Sequence, residues 1–166
     1  GDVYKRQVYN DWLNTFPCPE GTVDKDAVQW YGLQPAERVL DQINIMPHFI
    51  QSTNFTPEWL STFLTALADE VECIRKNYFT DGSNIYVTQV QAVTTAGMLM
   101  PEFKNATEWL NEGSLKISEQ VTAQFLADGV QVELDPSYHI GVVNDLYSIY
   151  KLAQLNNKLS LFPSNY

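Results

Sequence analysis

Residues 56–77, TPEWLSTFLTALADEVECIRKN, decide the fold class. Thr56 offers a capping hydroxyl, Pro57 suits the first helical position, and Glu58 places an acid at the positive end. Behind this start, Trp59/Leu60, Phe63/Leu64, Leu67, Val71 and Ile74 recur at helical spacing. The stretch is predicted as an amphipathic helix running to about Asn77.

The same pattern repeats on both sides. Upstream, Pro35 opens a helix to about Gln51, with Val39, Leu40, Ile43 and Met46 on one face. Pro47 should kink it or cut it short. Residues 8–34 are turn-rich and predict short helices or loops. Downstream, Asp81-Gly82-Ser83 makes a turn before a Val-, Thr- and Ala-rich helix over about Asn84 to Leu99. Pro101-Glu102 is predicted to open a further helix to about Phe125. Asp128-Gly129 breaks the chain, and Val130 to Leu134 alternate as a short extended piece would. Asp135-Pro136 then caps a last helix to about Leu155. The prediction is an all-α chain of antiparallel helical hairpins, a bundle or an arc of a larger helical ring. No repeat of fixed period is present.

The 166 residues, 45% hydrophobic, suffice for one packed core, and the net charge of −10 argues against nucleic-acid and anionic-membrane partners. No apolar run is long enough to span a bilayer. Residues 1–7 read as a non-native tail, with the fold beginning at residue 8. Leu161 to Tyr166 show no tail character, so the chain reads as an internal fragment. Cys18 and Cys73 lack CxxC spacing, and a disulfide and two free thiols are both compatible with them.

No metal-ligand spacing, phosphate-binding glycine loop or Ser-His-Asp signature occurs, so no metal or cofactor is expected. What remains is acid–base chemistry or binding. Tyr138 falls in the first turn of the last helix, where unpaired N–H groups and the dipole favour negative charge on the phenol. From the residues alone, the leading reading is a half-buried aromatic whose hydroxyl finds a backbone partner. His139 is adjacent but about a hundred degrees round the helix. Asn84, 54 positions upstream of Tyr138, reads first as a helix cap and second as an amide donor to a carboxylate. Glu133 reads as solvated, or as a ligand for sugar hydroxyls. His48, Trp59 and Trp109 read as packing residues.

Two segments carry a resemblance. Ser83-Asn84-Ile85-Tyr86-Val87-Thr88-Gln89-Val90-Gln91-Ala92, with Gly97 to Phe103, resembles the helical-domain pattern of heparinase II/III-type polysaccharide lyases. Asp128-Gly129-Val130-Gln131-Val132-Glu133-Leu134-Asp135-Pro136-Ser137-Tyr138-His139 resembles the same family's DG…E…P-x-YH segment. Both stand in the family's order and at its spacing. The resemblance is most specific over 77–155 and weaker over 28–76.

The resemblance implies an incomplete (α/α) toroid over 8–166, without the β-sandwich region that follows it in full-length members. It also implies β-elimination of a uronic-acid polysaccharide, heparan sulfate-like or another uronate glycan, in a periplasmic or secreted protein. Asn84 would neutralise the uronate carboxylate and Tyr138 would act as base, acid or both. Glu133 and His139 would play supporting roles. Many members carry His and Arg directly after the asparagine, where this chain has Ile85 and Tyr86. Members also draw a histidine from beyond the toroid, so the fragment alone is expected to be inactive. The alternative is a non-catalytic glycan-binding or scaffold domain of the same fold. A glycoside hydrolase of (α/α)-ring type is a further rival, but Asp128, Glu133 and Asp135 suggest no specific acid pair.

Overall fold

The structure, a computed structural model, describes residues 2–163; Gly1 of the expected tail and residues 164–166 lie outside them. Six α-helices, Asp2–Thr15 (α1), Gln34–Phe49 (α2), Pro57–Lys76 (α3), Asn84–Leu99 (α4), Ala106–Ala123 (α5) and Pro136–Leu155 (α6), precede a short 3-10 turn, Leu159–Leu161. The chain divides into two compact units at Asn77/Tyr78.

In the first unit α2 packs on α3. Their facing stripes bury Ala36, Val39 and Ile43 against Phe63, Leu67, Val71 and Ile74, as the helical spacing predicts. Thr56 caps α3 through its hydroxyl, which accepts from the Trp59 N–H at 3.3 Å. α2 stops at Phe49, two residues after Pro47. α1 was not anticipated as one long helix. It takes in residues 2–7, with Lys5 over the Phe49 ring at 4.6 Å and Arg6 Nη1 donating to the Asn54 carbonyl at 3.2 Å. Tyr9 stacks edge-on to Trp59 and tilted on Phe63. The buried acid Glu70 accepts from Arg38 Nε at 3.2 Å and Gln42 Nε2 at 2.9 Å. The Arg38 guanidinium lies over both the Trp12 and Trp30 rings, 4.5 and 4.8 Å from their centroids.

In the second unit α4 is the central helix, packed by α5 and α6. From Tyr86 to Met98 every one of its residues is buried, which its small and β-branched side chains permit. Two expectations fail. α5 starts at Ala106, because residues 101–105 are used in turns that reverse the chain, with Phe103 N–H to the Met100 carbonyl and Ala106 N–H to the Phe103 carbonyl. The segment 130–134 is not a strand. One antiparallel bridge joins Phe125 and Gln131, and the chain then turns away through Leu134 at φ 57° to reach the cap of α6. Among the described residues no helix is long and apolar enough to cross a membrane.

Candidate functional site

The candidate residues gather where the start of α4 meets the 124–135 loop and the start of α6. Ser83 occupies the cap position of α4 but its hydroxyl makes no cap. The cap comes from Glu133, whose Oε2 accepts the Asn84 N–H at 2.8 Å. A carboxylate here satisfies an orphan donor and faces the positive end of the helix. Glu133 is therefore not a solvated side chain. Its Oε2 also accepts from Gln131 Nε2 at 3.0 Å, and its own N–H donates to Gln131 Oε1 at 2.9 Å.

Gln131 belongs to a buried relay. Its Nε2 also reaches Gln124 Oε1 at 2.9 Å. Gln124 Nε2 donates to the Gly82 carbonyl and to Gln120 Oε1, both at 2.9 Å. Gln124 and Gln131 are fully buried and Gln120 nearly so. Burying so many amides is tolerable only because they satisfy one another and the backbone. The relay fixes the loop before Asn84 and the loop before Tyr138 to the same end of α5. Sequence reasoning missed it. The available signal was Gln120 and Gln124 four apart on a helix whose neighbours are core residues.

α6 begins as its sequence dictates. Asp135 Oδ1 accepts the Ser137 N–H at 2.7 Å and the Tyr138 N–H at 3.2 Å, with Pro136 at the first helical position. The Ser137 hydroxyl also donates to Asp135, and these bonds hold the Asp135 carboxyl below its ordinary range. This corrects one expectation. Donors in the first turn of α6, including the N–H of Tyr138 itself, are taken by an anion, so they are not free to support a phenolate.

Tyr138 is 46% exposed and its hydroxyl bonds to no described residue. The Asn84 carboxamide is likewise uncommitted, since only the backbone of Asn84 is engaged. His139 is half-buried. Its Nδ1 accepts the Gln131 N–H at 3.3 Å and its ring stands edge-on to Phe125. Neutral His139 therefore carries its proton on Nε2. Thr88, one turn after Asn84, has its hydroxyl 3.3 Å from the Asn84 carbonyl and 2.9 Å from Asp145 Oδ2. Asp145 lies two turns after Tyr138, so this bond ties α4 to α6 beside the site. Tyr86 points into the core, edge-on to Tyr78 at 5.5 Å, with Lys116 Nζ 3.5 Å from its hydroxyl. Glu133, Gln131 and His139 thus form one bonded group with the backbone of Asn84, beside two uncommitted polar ends on Asn84 and Tyr138.

A family model described as Heparinase II/III N-terminus matches residues 4–166. The chain belongs to the heparinase II/III family. It is 41% identical over 160 residues to a heparin-sulfate lyase of Bacteroides thetaiotaomicron, covering 96% of this chain and 22% of the relative. To the heparin-sulfate lyase of Pedobacter heparinus it is 29% identical, over 95% of this chain and 24% of that one. A crystal structure of heparinase III superposes with a TM-score of 0.92 at 41% identity, over 96% of this chain and 24% of that one. The heparan sulfate lyase HepC from Pedobacter heparinus gives 0.79 at 27% identity, over 97% and 25%. The chain thus spans about a quarter of the heparinase II/III proteins it resembles, and its fold is that of their (α/α) toroid domain.

Proposed function

We propose that this chain is the segment of a polysaccharide lyase that supplies the Asn84 amide and the Tyr138 phenol for β-elimination of a uronate glycan. The observation carrying this reading is that these two polar ends are uncommitted while the backbone behind them is tied down by Glu133, Gln131 and Asp135. Neither polar end is used in holding the fold, so both are available to a substrate.

The chemistry suits the pair. Abstraction of the proton at C5 of a uronate builds charge on the adjacent carboxylate, and a neutral amide donor can stabilise it there. A phenol can relay a proton between C5 and the departing glycosidic oxygen. Because Asp135 already takes N–H groups of the first turn, the phenol's activation must come from outside this helix end. The second unit holds four lysines against nine Asp and Glu. Such a field repels a polyanion, which favours a uronate polymer low in sulfate. Positive groups beyond this segment would complete the site, consistent with relatives about four times longer.

The alternative is a glycan-binding or scaffold domain without chemistry, favoured by the acidic field and by Tyr86 turned into the core. Product analysis of the intact protein on uronate polysaccharides separates the two. Unsaturated, ultraviolet-absorbing oligosaccharides support the lyase; bound but uncut polymer rejects it. The 166-residue chain alone is expected to yield no unsaturated product.

A further inference from the structure

We propose that Cys18 and Cys73 are a disulfide-forming pair that, under oxidising conditions, staples the loop after α1 to the last turn of α3. Both are thiols in this structure. They stand 55 positions apart in sequence, yet the fold brings the two thiols into one neighbourhood. Cys18 Sγ also lies 3.5 Å from the carbonyl of Asp69, one helical turn before Cys73 on the same face of α3. Cys73 forms a small apolar cluster with Val23 and Trp30, and Cys18 packs against it.

The loop between them is already held in register. Asn77 Oδ1 accepts the Val23 N–H at 2.8 Å, while its Nδ2 reaches the carbonyls of Gly21 and Cys73 at 3.3 and 2.9 Å. Asn77 Nδ2 also lies 3.9 Å from Cys73 Sγ. The two thiols therefore share one cluster, and Asn77 holds the backbone of the loop after Cys18 and that of Cys73 together, the side-by-side placement a disulfide needs.

The accessibilities order the steps. Cys73 is buried and Cys18 is partly exposed at the loop. A disulfide-class oxidant such as oxidised glutathione would form a mixed disulfide at Cys18, releasing one glutathione thiol. Cys73 sulfur then attacks Cys18 sulfur, the Cys18–glutathione bond breaks, and the second glutathione leaves as its thiol. The two protein thiols give up two electrons and two protons, and the two glutathione thiols carry them.

The test uses the full chain, incubated with oxidised glutathione, quenched in acid, unfolded and treated with iodoacetamide, then mapped by non-reducing peptide mass analysis. The expected result is a monomer with no alkylated cysteine, one linked peptide pair containing Cys18 and Cys73, and a Tm raised by roughly 5–10 °C. Dithiothreitol should reverse all three. Cys18→Ser, a mild change at the partly exposed member, should show neither the linked peptides nor the Tm rise. Full alkylation of both cysteines after oxidation, links only between molecules, or a link without a rise in Tm would each overturn the proposal.

Discussion

The Asn84 N–H and Glu133 Oε2, 49 positions apart in sequence, meet at 2.8 Å and join the start of α4 to the loop that feeds α6. A helix that begins with a candidate substrate contact is thus capped by a residue from the segment that carries the candidate base. The cap does for α4 what Thr56 and Asp135 do locally for α3 and α6, but over a long range.

Glu133→Ala should therefore loosen the first turn of α4 specifically. The expected loss is about 1–2 kcal/mol, the range for removing a capping side chain and leaving its donors unpaired. Urea unfolding should show a lower midpoint at unchanged slope, and amide exchange at Asn84 to Val87 should quicken. Glu133→Gln keeps an acceptor in place and should lose less than half as much. Equal exchange in wild type and the alanine variant would mean that the Asn84 N–H does not depend on this carboxylate.

Tyr138→Phe in the intact protein addresses the proposed chemistry directly. The hydroxyl bonds to no described residue, so its removal should leave Tm within about 1 °C, as for surface changes that break no contact. Turnover should fall by at least about 10³-fold if the phenol moves protons. Binding of a uronate oligosaccharide, measured by calorimetry, should stay within threefold. A variant that turns over normally would remove Tyr138 from the mechanism.

The parts that could be read from sequence are those decided within a few residues. α3 starts at Pro57 and α6 at Pro136 because a capping side chain, a proline and a helical stripe all sit within one turn of each other. α4 could be bounded because Asp81 to Ser83 end one segment and Met100 leaves helical geometry before Pro101. α5 could not, since Pro101-Glu102 has the local pattern of a helix start while the reversal into α5 uses those residues in turns. The candidate site divides the same way. Asn84, Tyr138, His139 and Glu133 were readable as positions. That Glu133 caps α4 is a tertiary fact with no local trace, whereas the Asp135 cap is local and the three-glutamine relay showed in sequence only as the Gln120/Gln124 spacing.

Glu70 gives the first unit a pH dependence of predictable sign. Burial pushes its carboxyl up to about 7, against the lowering effect of Arg38 and the hydrogen bonds from Arg38 and Gln42. The folded state therefore keeps a proton that the unfolded chain has lost between pH 4.5 and about 7. The contribution to stability is fully present below the unfolded value and is lost as pH rises through about 7. It is on the order of 3 kcal/mol over the whole span. Thermal unfolding from pH 5 to 8 should show Tm falling more steeply in wild type than in Glu70→Gln, which cannot titrate. Parallel profiles would assign the pH dependence to other groups.

The last prediction concerns the packing that brings α4 and α5 together. A Cβ on Gly97 would sit 2.5 Å from the Leu110 N and 2.7 Å from the Ala106 carbonyl oxygen, both backbone atoms of α5. Backbone cannot swing aside as a side chain can, so the helices themselves would have to separate. On the opposite helix, a Cβ on Gly113 would meet Thr94 of α4. Gly97→Ala should therefore destabilise by about 2–4 kcal/mol, at the upper end of overpacking costs, despite alanine's better helix propensity. Gly141 on α6 is the internal control, because nothing lies within 4 Å of a Cβ built there. Gly141→Ala should gain roughly 0.5–1 kcal/mol from propensity alone. The two substitutions are chemically identical and both lie inside helices, so opposite signs in the same urea titration would measure the α4–α5 contact itself. Matching signs would show that α4 and α5 do not approach this closely at Gly97.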